Sequence, residues 1–170
     1  MAESSRRAAR VSRKGGLPNA LFLVAAAERL PDELRAIAAE VTILFPWGSL
    51  LRGALALDDA AEAAAGISSL VAPGGIARAF LSIDPRDRLT IPALDATDGA
   101  DVAARWARHG LRLTAFESAP SAEVDASKSS WARRLATGRG REVWRLVLRA
   151  AGLASTRAAD APVAANEPGP

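Results

Sequence analysis

Short apolar runs alternate along this chain with stretches of helical spacing, and that alternation limits the fold more than any other feature. It marks βα units around a parallel sheet, because each buried strand needs a crossing helix to carry the chain back over the sheet. The runs Ala20–Val24, Val41–Phe45, Ile76–Ile83 and Leu111–Phe116 read as strands. Glu142–Ala150 reads as a last strand, with a helix as the alternative. Pro31, followed by Asp32 and Glu33, opens a predicted helix with Leu30, Leu34 and Ile37 on its apolar face, ending near Glu40. Asp58 and Asp59 start an Ala-rich helix that reaches about Leu70 and is broken by Pro73-Gly74-Gly75. Asp98 or Asp101 begins another, with Val102 and Trp106 on one face and Gly110 as its stop. Residues 84–97 read as a polar loop, and a loop rich in Ser, Ala and Asp leads into a short helix around Ser130–Ala136. Residues 2–14 read as a helix closed by Gly15-Gly16 and followed by Pro18. No internal repeat is present.

With 170 residues and 49% apolar content, one packed domain is expected. Residues 1–150 form that domain, and 151–170, with nothing to bury, are expected to be a disordered tail. The longest apolar run, Ala20–Ala27, falls short of the roughly 18 residues a spanning helix needs. The chain is therefore expected to be soluble, with no membrane partner. It has no cysteine, which removes disulfides and thiolate chemistry and fits a cytoplasmic setting.

The net charge of +3 hides a strong segregation. Residues 1–14 hold Arg6, Arg7, Arg10, Arg13 and Lys14 against Glu3 alone. Residues 128–149 hold Lys128, Arg133, Arg134, Arg139, Arg141, Arg145 and Arg149 against Glu142 alone. Together these carry five plus seven cations less two acids, about +10, so the rest of the chain is near −7. Arginine clusters of this kind suit bidentate contacts to nucleic-acid phosphates. The competing reading is an Arg-rich composition with solvated faces. Targeting is disfavoured by Glu3 and by the lack of a cleavage-like apolar segment.

The densest chemical signal is FPWGSLLRG, Phe45–Gly53, directly after the second run. Ligands of open α/β sheets collect outside the carboxyl ends of the strands, so a reactive site belongs there. Pro46 stiffens the chain, Trp47 offers a broad π face, and Gly48–Leu50 read as a turn with free N–H groups. A flat base could be held by that combination. A core tryptophan beside a tight turn is the equally balanced alternative.

Pro18-Asn19, the stretch Ala26-Ala27-Glu28-Arg29-Leu30-Pro31, FPWGSLLRG, Pro73-Gly74-Gly75 and SSWARRL (Ser129–Leu135) occur in this order. In that order they resemble the family of 16S ribosomal RNA methyltransferases that modify N1 of the decoding-site adenine numbered 1408, a family linked to aminoglycoside resistance. The likeness covers roughly residues 1–150. Pro-Gly-Gly is common among methyltransferases, whereas the pairing of FPWGSLLRG with SSWARRL is specific.

The resemblance implies a Rossmann-like class I fold that uses S-adenosyl-L-methionine, acting on 16S rRNA in the small ribosomal subunit. It implies that Trp47 and Trp131 sandwich a flipped adenine, with Ser129 orienting the base and Pro46 shaping the turn. Ala27, Glu28 and Leu30 would border the adenosyl group, and Ser49 and Leu50 its methionine side. Glu28 could equally be a helix-start acid. Arg134, Arg139 and Arg141 would grip RNA backbone, and Arg10, Arg13 and Lys14 would dock on the ribosomal surface, with solvated surface charge the alternative for each. His109, the one histidine, reads as a favourable contact with a helix C-terminus and receives no catalytic role.

A class I methyltransferase opens with a strand, a glycine loop near GxGxG and a second strand ending in an acid. The 170 residues contain no such loop. In the family's strand order, 3-2-1-4-5-7-6, strands 1 and 2 are lacking, which would leave strand 3 without a neighbour and strand 4 with an open edge. A start codon placed too late would account for this, and these residues alone are then expected to be inactive. A non-catalytic RNA-binding protein with the same basic surface is the alternative. A DNA-binding regulator is disfavoured because no helix-turn-helix spacing appears, and a monomer is expected.

Overall fold

Strand pairing decides the architecture in the computed structural model, which describes residues 17, 19–87, 89–127, 129, 132 and 141–152. Strands β1 (Ala38–Leu44), β2 (Val71–Leu81), β3 (Leu111–Ser118) and β4 (Trp144–Ala150) form one sheet in the order β1-β2-β4-β3. β1 and β2 run parallel, whereas β4 is antiparallel to both β2 and β3. That order is the 4-5-7-6 portion of the sheet implied by the resemblance. The strand reading of Glu142–Ala150 is correct from Trp144 onward.

The predicted strand Ala20–Val24 does not form. Leu21 and Val24 are 88% and 75% exposed, and β1 is an edge of the sheet among the described residues. The physical reason is the one foreseen: a strand needs a neighbour for its N–H and C=O groups, and this segment has none among the described residues. The predicted helix from Pro31 to Glu40 is also replaced. Only a 3₁₀ turn, Asp32–Leu34, survives, closed by the Arg35 guanidinium on Asp32 at 2.7 Å. Ala36 then takes a left-handed backbone, φ 53°, and Ala38–Leu44 joins β2. Sheet pairing outweighed a short helical pattern, and Ile37 is exposed instead of buried.

Helices α1 (Gly48–Ala54), α2 (Ala61–Leu70) and α3 (Asp98–Ala107) supply the main core, and a short helix α4 (Ser121–Ala126) lies between β3 and β4 in the chain. Alternation along the strands sends Ala77, Ala79 and Leu81 of β2 and Trp144, Leu146 and Leu148 of β4 into that core, with Leu51, Leu55, Ile67, Val102 and Trp106. Trp106 is fully buried, and its Nε1 donates to the Ala54 carbonyl at 3.1 Å, so the largest core side chain leaves no polar atom unsatisfied. Burying it and Val102 is what fixes α3, as the spacing predicted.

Pro73-Gly74-Gly75 interrupts β2 without ending it. Between Ala38 and Glu40 the register slips, from Ala38 opposite Val71 to Glu40 opposite Ile76. Gly74 has φ 76°, and a Cβ on Gly75 would come within 3.0 Å of the Ala38, Ala39 and Ala72 carbonyls. The two glycines let the bulge press against β1. Among the described residues, no helix is long and apolar enough to cross a membrane.

Candidate active site

The carboxyl ends of β1 and β2 open on the same side of the sheet, and the FPWGSLL motif leaves β1 there. Phe45 is the pivot. Its N–H donates to the Phe80 carbonyl at 2.9 Å, extending the ladder by one bond, and its ring stacks on Phe80 with centroids 6.5 Å apart. Its backbone is left-handed, φ 49°, a conformation that costs a bulky residue about 1–3 kcal/mol. The result is a sharp turn: Pro46 is buried and Trp47, at the N-cap of α1, is 57% exposed. Gly48, φ 58°, completes the reversal with open space where a Cβ would stand. The segment Gly48–Leu50, read from sequence as a turn, is the first turn of α1, so its N–H groups belong to a helix start.

A second, smaller apolar cluster sits on the opposite face of β2 from the main core. Phe80, Val124, Ala132 and Val143 form it, with Phe45 and Ala119 packed against it. Phe45 comes from FPWGSLLRG and Ala132 from SSWARRL. The structure therefore brings both motifs to one cluster at the carboxyl end of the sheet. Trp131, Arg134 and Arg139 lie outside the described residues, as do Arg10, Arg13 and Lys14. Ser129 is described: its hydroxyl accepts from the Ala132 N–H at 3.5 Å, so it closes the local turn of its own motif.

Ala27, Glu28 and Leu30 gather on a shallow cavity of about 360 Å³ that also touches Glu62, Gly66 and Ser69 of α2. Gly66 is required there, because the Ala27 carbonyl occupies the place a side chain would take. Glu28 is held below the usual carboxylate range, chiefly by a backbone N–H and then by the side chain of Ser49, which α1 points toward it. Ser49 and Glu28 thus meet, although they come from different segments. Leu50 packs against the main core.

Arg141 is placed differently from the expectation of a phosphate contact. Its Nη1 donates to Asp87 Oδ1 at 3.1 Å, its Nη2 bonds Asp87 Oδ2, and its Nε donates to Ser82 Oγ at 2.8 Å. The side chains of the pair are only 14% and 12% exposed. Arg145 is likewise spent on Glu117 and Glu123, and its hydrogen bond to Glu117 above all raises its pKa. Part of the basic cluster therefore serves the fold, because these arginines face acids that lie far away in the sequence. Asp87, Ser82 and Asp84 had no motif to mark them. His109 follows the C-terminal end of α3, where it was expected, and burial first and the neighbouring Arg108 second lower its pKa.

A parallel βα unit continued by an antiparallel pair is the sheet arrangement that the resemblance to Rossmann-like methyltransferases implies. The comparisons agree. The chain belongs to the family of 16S rRNA (adenine(1408)-N(1))-methyltransferases, whose NpmA family model matches residues 1–150. A relative of that name from Streptoalloteichus tenebrarius is 36% identical over 148 residues, covering 83% of this chain and 66% of the relative. The chain thus spans about two thirds of that relative's length. The solved structure of the 16S rRNA methyltransferase KamB superposes with TM-score 0.78 at 33% identity, covering 89% of this chain and 72% of that one. A mutant of the 16S rRNA (adenine(1408)-N(1))-methyltransferase of Catenulisporales acidiphilia, solved with cosubstrate SAM, superposes with TM-score 0.69 at 26% identity, covering 89% and 68%.

Proposed function

We propose that residues 1–150 form the base-presenting part of an S-adenosyl-L-methionine-dependent methyltransferase that modifies N1 of adenine 1408 in 16S rRNA of the small ribosomal subunit and so confers aminoglycoside resistance. The observation that carries this reading is the convergence of Phe45 and Ala132 on one cluster, which roots the Trp47 and Trp131 motifs at the same end of the sheet. Trp47, already solvent-exposed at the N-cap of α1, is free to stack on an extruded base. Stacking on an aromatic face is worth about 1–3 kcal/mol per base, comparable to the few kcal/mol that extrusion costs.

Adenine N1 carries a lone pair and no proton, so the site needs to position the base rather than remove a proton from it. Two indole faces suit the positive charge that the ring acquires. S-adenosyl-L-methionine, when bound, supplies the methyl group. Ala27, Glu28 and Leu30, with Ser49 and Leu50, are the proposed wall of its site: Ala27, Glu28 and Leu30 line one cavity and Ser49 bonds Glu28, an acid–hydroxyl pair that suits the polar rim of an adenosyl group. Pro46 sets the direction of Trp47, and Ser129 is the proposed residue that orients the base. Arg10, Arg13, Lys14, Arg134 and Arg139 are the proposed RNA contacts.

The test is binding and methylation of purified 30S subunits. The chain is expected to shield adenine 1408 from N1-directed chemical probes. Methylation there is read as a reverse-transcription stop. Binding elsewhere on the subunit, or none, would overturn the proposal.

A further inference from the structure

Two arginines stand directly opposite each other at the end of the sheet away from Trp47. In the antiparallel ladder of β3 and β4, Arg112 pairs with Arg149, so both side chains leave the same face. It is the face turned away from the main core, because Leu111, Leu146 and Leu148 alternate with them into that core. Like charges held opposite each other across a ladder destabilise it unless something neutralises them. Among the described residues nothing does. Arg112 is exposed and has no ion-pair or hydrogen-bond partner there, and Arg149, also exposed, donates Nη1 to the Gly74 carbonyl at 3.1 Å and meets no carboxylate. Both line a cavity of about 660 Å³ whose other walls carry no charge, among them Ala103 and Ala107 of α3 and Leu113 of β3. On the same face, two residues along β2 from the partner of Arg149, Arg78 reaches Glu40 only at 3.8 Å, and its buried Nε has no partner among the described residues.

We propose that Arg112 and Arg149 form a phosphate site, and that the phosphate belongs to an RNA backbone lying on the open face of the sheet, with Arg78 as the next cation along its path. This deepens the function proposed above by adding a contact that reads no base. The sign of the charge selects an anion, and two neighbouring guanidinium forks select an oxyanion with more than one free acceptor, as a phosphodiester has. Directly opposed residues lie about 5 Å apart at Cβ, close enough for one phosphate to meet both. An anion seated there converts the repulsion of the pair into attraction. Strands of seven residues, such as β4, separate this end of the sheet from the Trp47 end by roughly 20 Å. The contact therefore falls on RNA away from the extruded adenine and adds affinity without sequence preference.

The experiment measures the affinity of the whole chain for a single-stranded RNA oligomer of mixed sequence across a salt series. Arg112→Gln and Arg149→Gln are compared with the unsubstituted chain and with Arg35→Gln, a control whose guanidinium is already paired with Asp32. Each site variant is expected to lower the salt slope by about 0.7, the share of one phosphate on a single strand, and Arg35→Gln to leave it unchanged. Thermal midpoints without RNA at low salt run alongside. Arg112→Gln is expected to raise the midpoint, because it relieves the like-charge pair, and to blunt the stabilisation that inorganic phosphate gives the unsubstituted chain. Unchanged slopes in both site variants, or a lower midpoint in Arg112→Gln, would overturn the proposal. Stabilisation by inorganic phosphate with no change in the RNA slope would mark a site for a free anion and overturn the RNA assignment. Lowered slopes in a chain that leaves adenine 1408 unprotected in 30S subunits would support this site and remove the function proposed above.

Discussion

The carbonyl oxygen of Ala27 stands where a side chain on Gly66 would have to be. This one contact seats the Ala26–Leu30 turn on α2 and sets the position of Glu28. Replacing Gly66 with Ala gains about 1 kcal/mol of helix propensity but forces the turn away, and overpacking of this kind costs about 1–3 kcal/mol. A net loss of stability is expected from the denaturant midpoint. An unchanged or higher midpoint would mean that the turn yields freely.

Ser49 lowers the Glu28 pKa from across the turn, so Ser49→Ala should let it rise toward the ordinary value of 4.5. In the unsubstituted chain the contribution of the depressed carboxyl to stability is present above the ordinary value of 4.5 and is lost as pH falls from there through the folded value. A carbon-detected NMR titration of Glu28 reads both. The same midpoint with and without the hydroxyl would separate the two residues.

His109 is depressed below 6.5, so the unfolded chain takes up its proton first. Its contribution to stability is complete above about pH 6.5 and lost as pH falls below that toward the folded value. Thermal midpoints should decline over that window, and less steeply in His109→Gln. Parallel pH profiles for the two proteins would contradict the assignment.

Trp106→Ala should destabilise the fold by about 3–5 kcal/mol, since it empties a fully buried site and orphans the Ala54 carbonyl. Trp47→Ala should stay within about 0.5 kcal/mol, as expected for an exposed side chain. Chemical denaturation of both proteins distinguishes a core tryptophan from a presented one.

Periodicity made the sheet legible where side chains alternate between a core and another face, as in β3 and β4, and it made α3 legible through Val102 and Trp106. It failed where tertiary contacts decide. The Pro31–Glu40 pattern is helical, but Ala38–Leu44 gains more by pairing with β2. In α1, Gly48–Leu50 read as a turn. Gly53 is there because Ala63 of α2 packs where its Cβ would be, which only the folded structure reveals. Ser121–Ala126 likewise read as loop, although Val124 anchors a helix there. At the site, order and spacing identified the motifs that Phe45 and Ala132 bring together. The partner of Arg141 was invisible, because Asp87 lies 54 residues away in a loop with no spacing signal.

The most direct test of the account is the affinity for 30S subunits of Trp47→Ala, Trp131→Ala and the double variant, measured at constant salt. If both indoles close on one extruded adenine, each single change costs about 1–3 kcal/mol and leaves the salt slope unaltered. The double change then costs less than the sum, because the second ring has lost the base it shared. Wild-type affinity in either single variant, or strictly additive losses, would contradict a shared base.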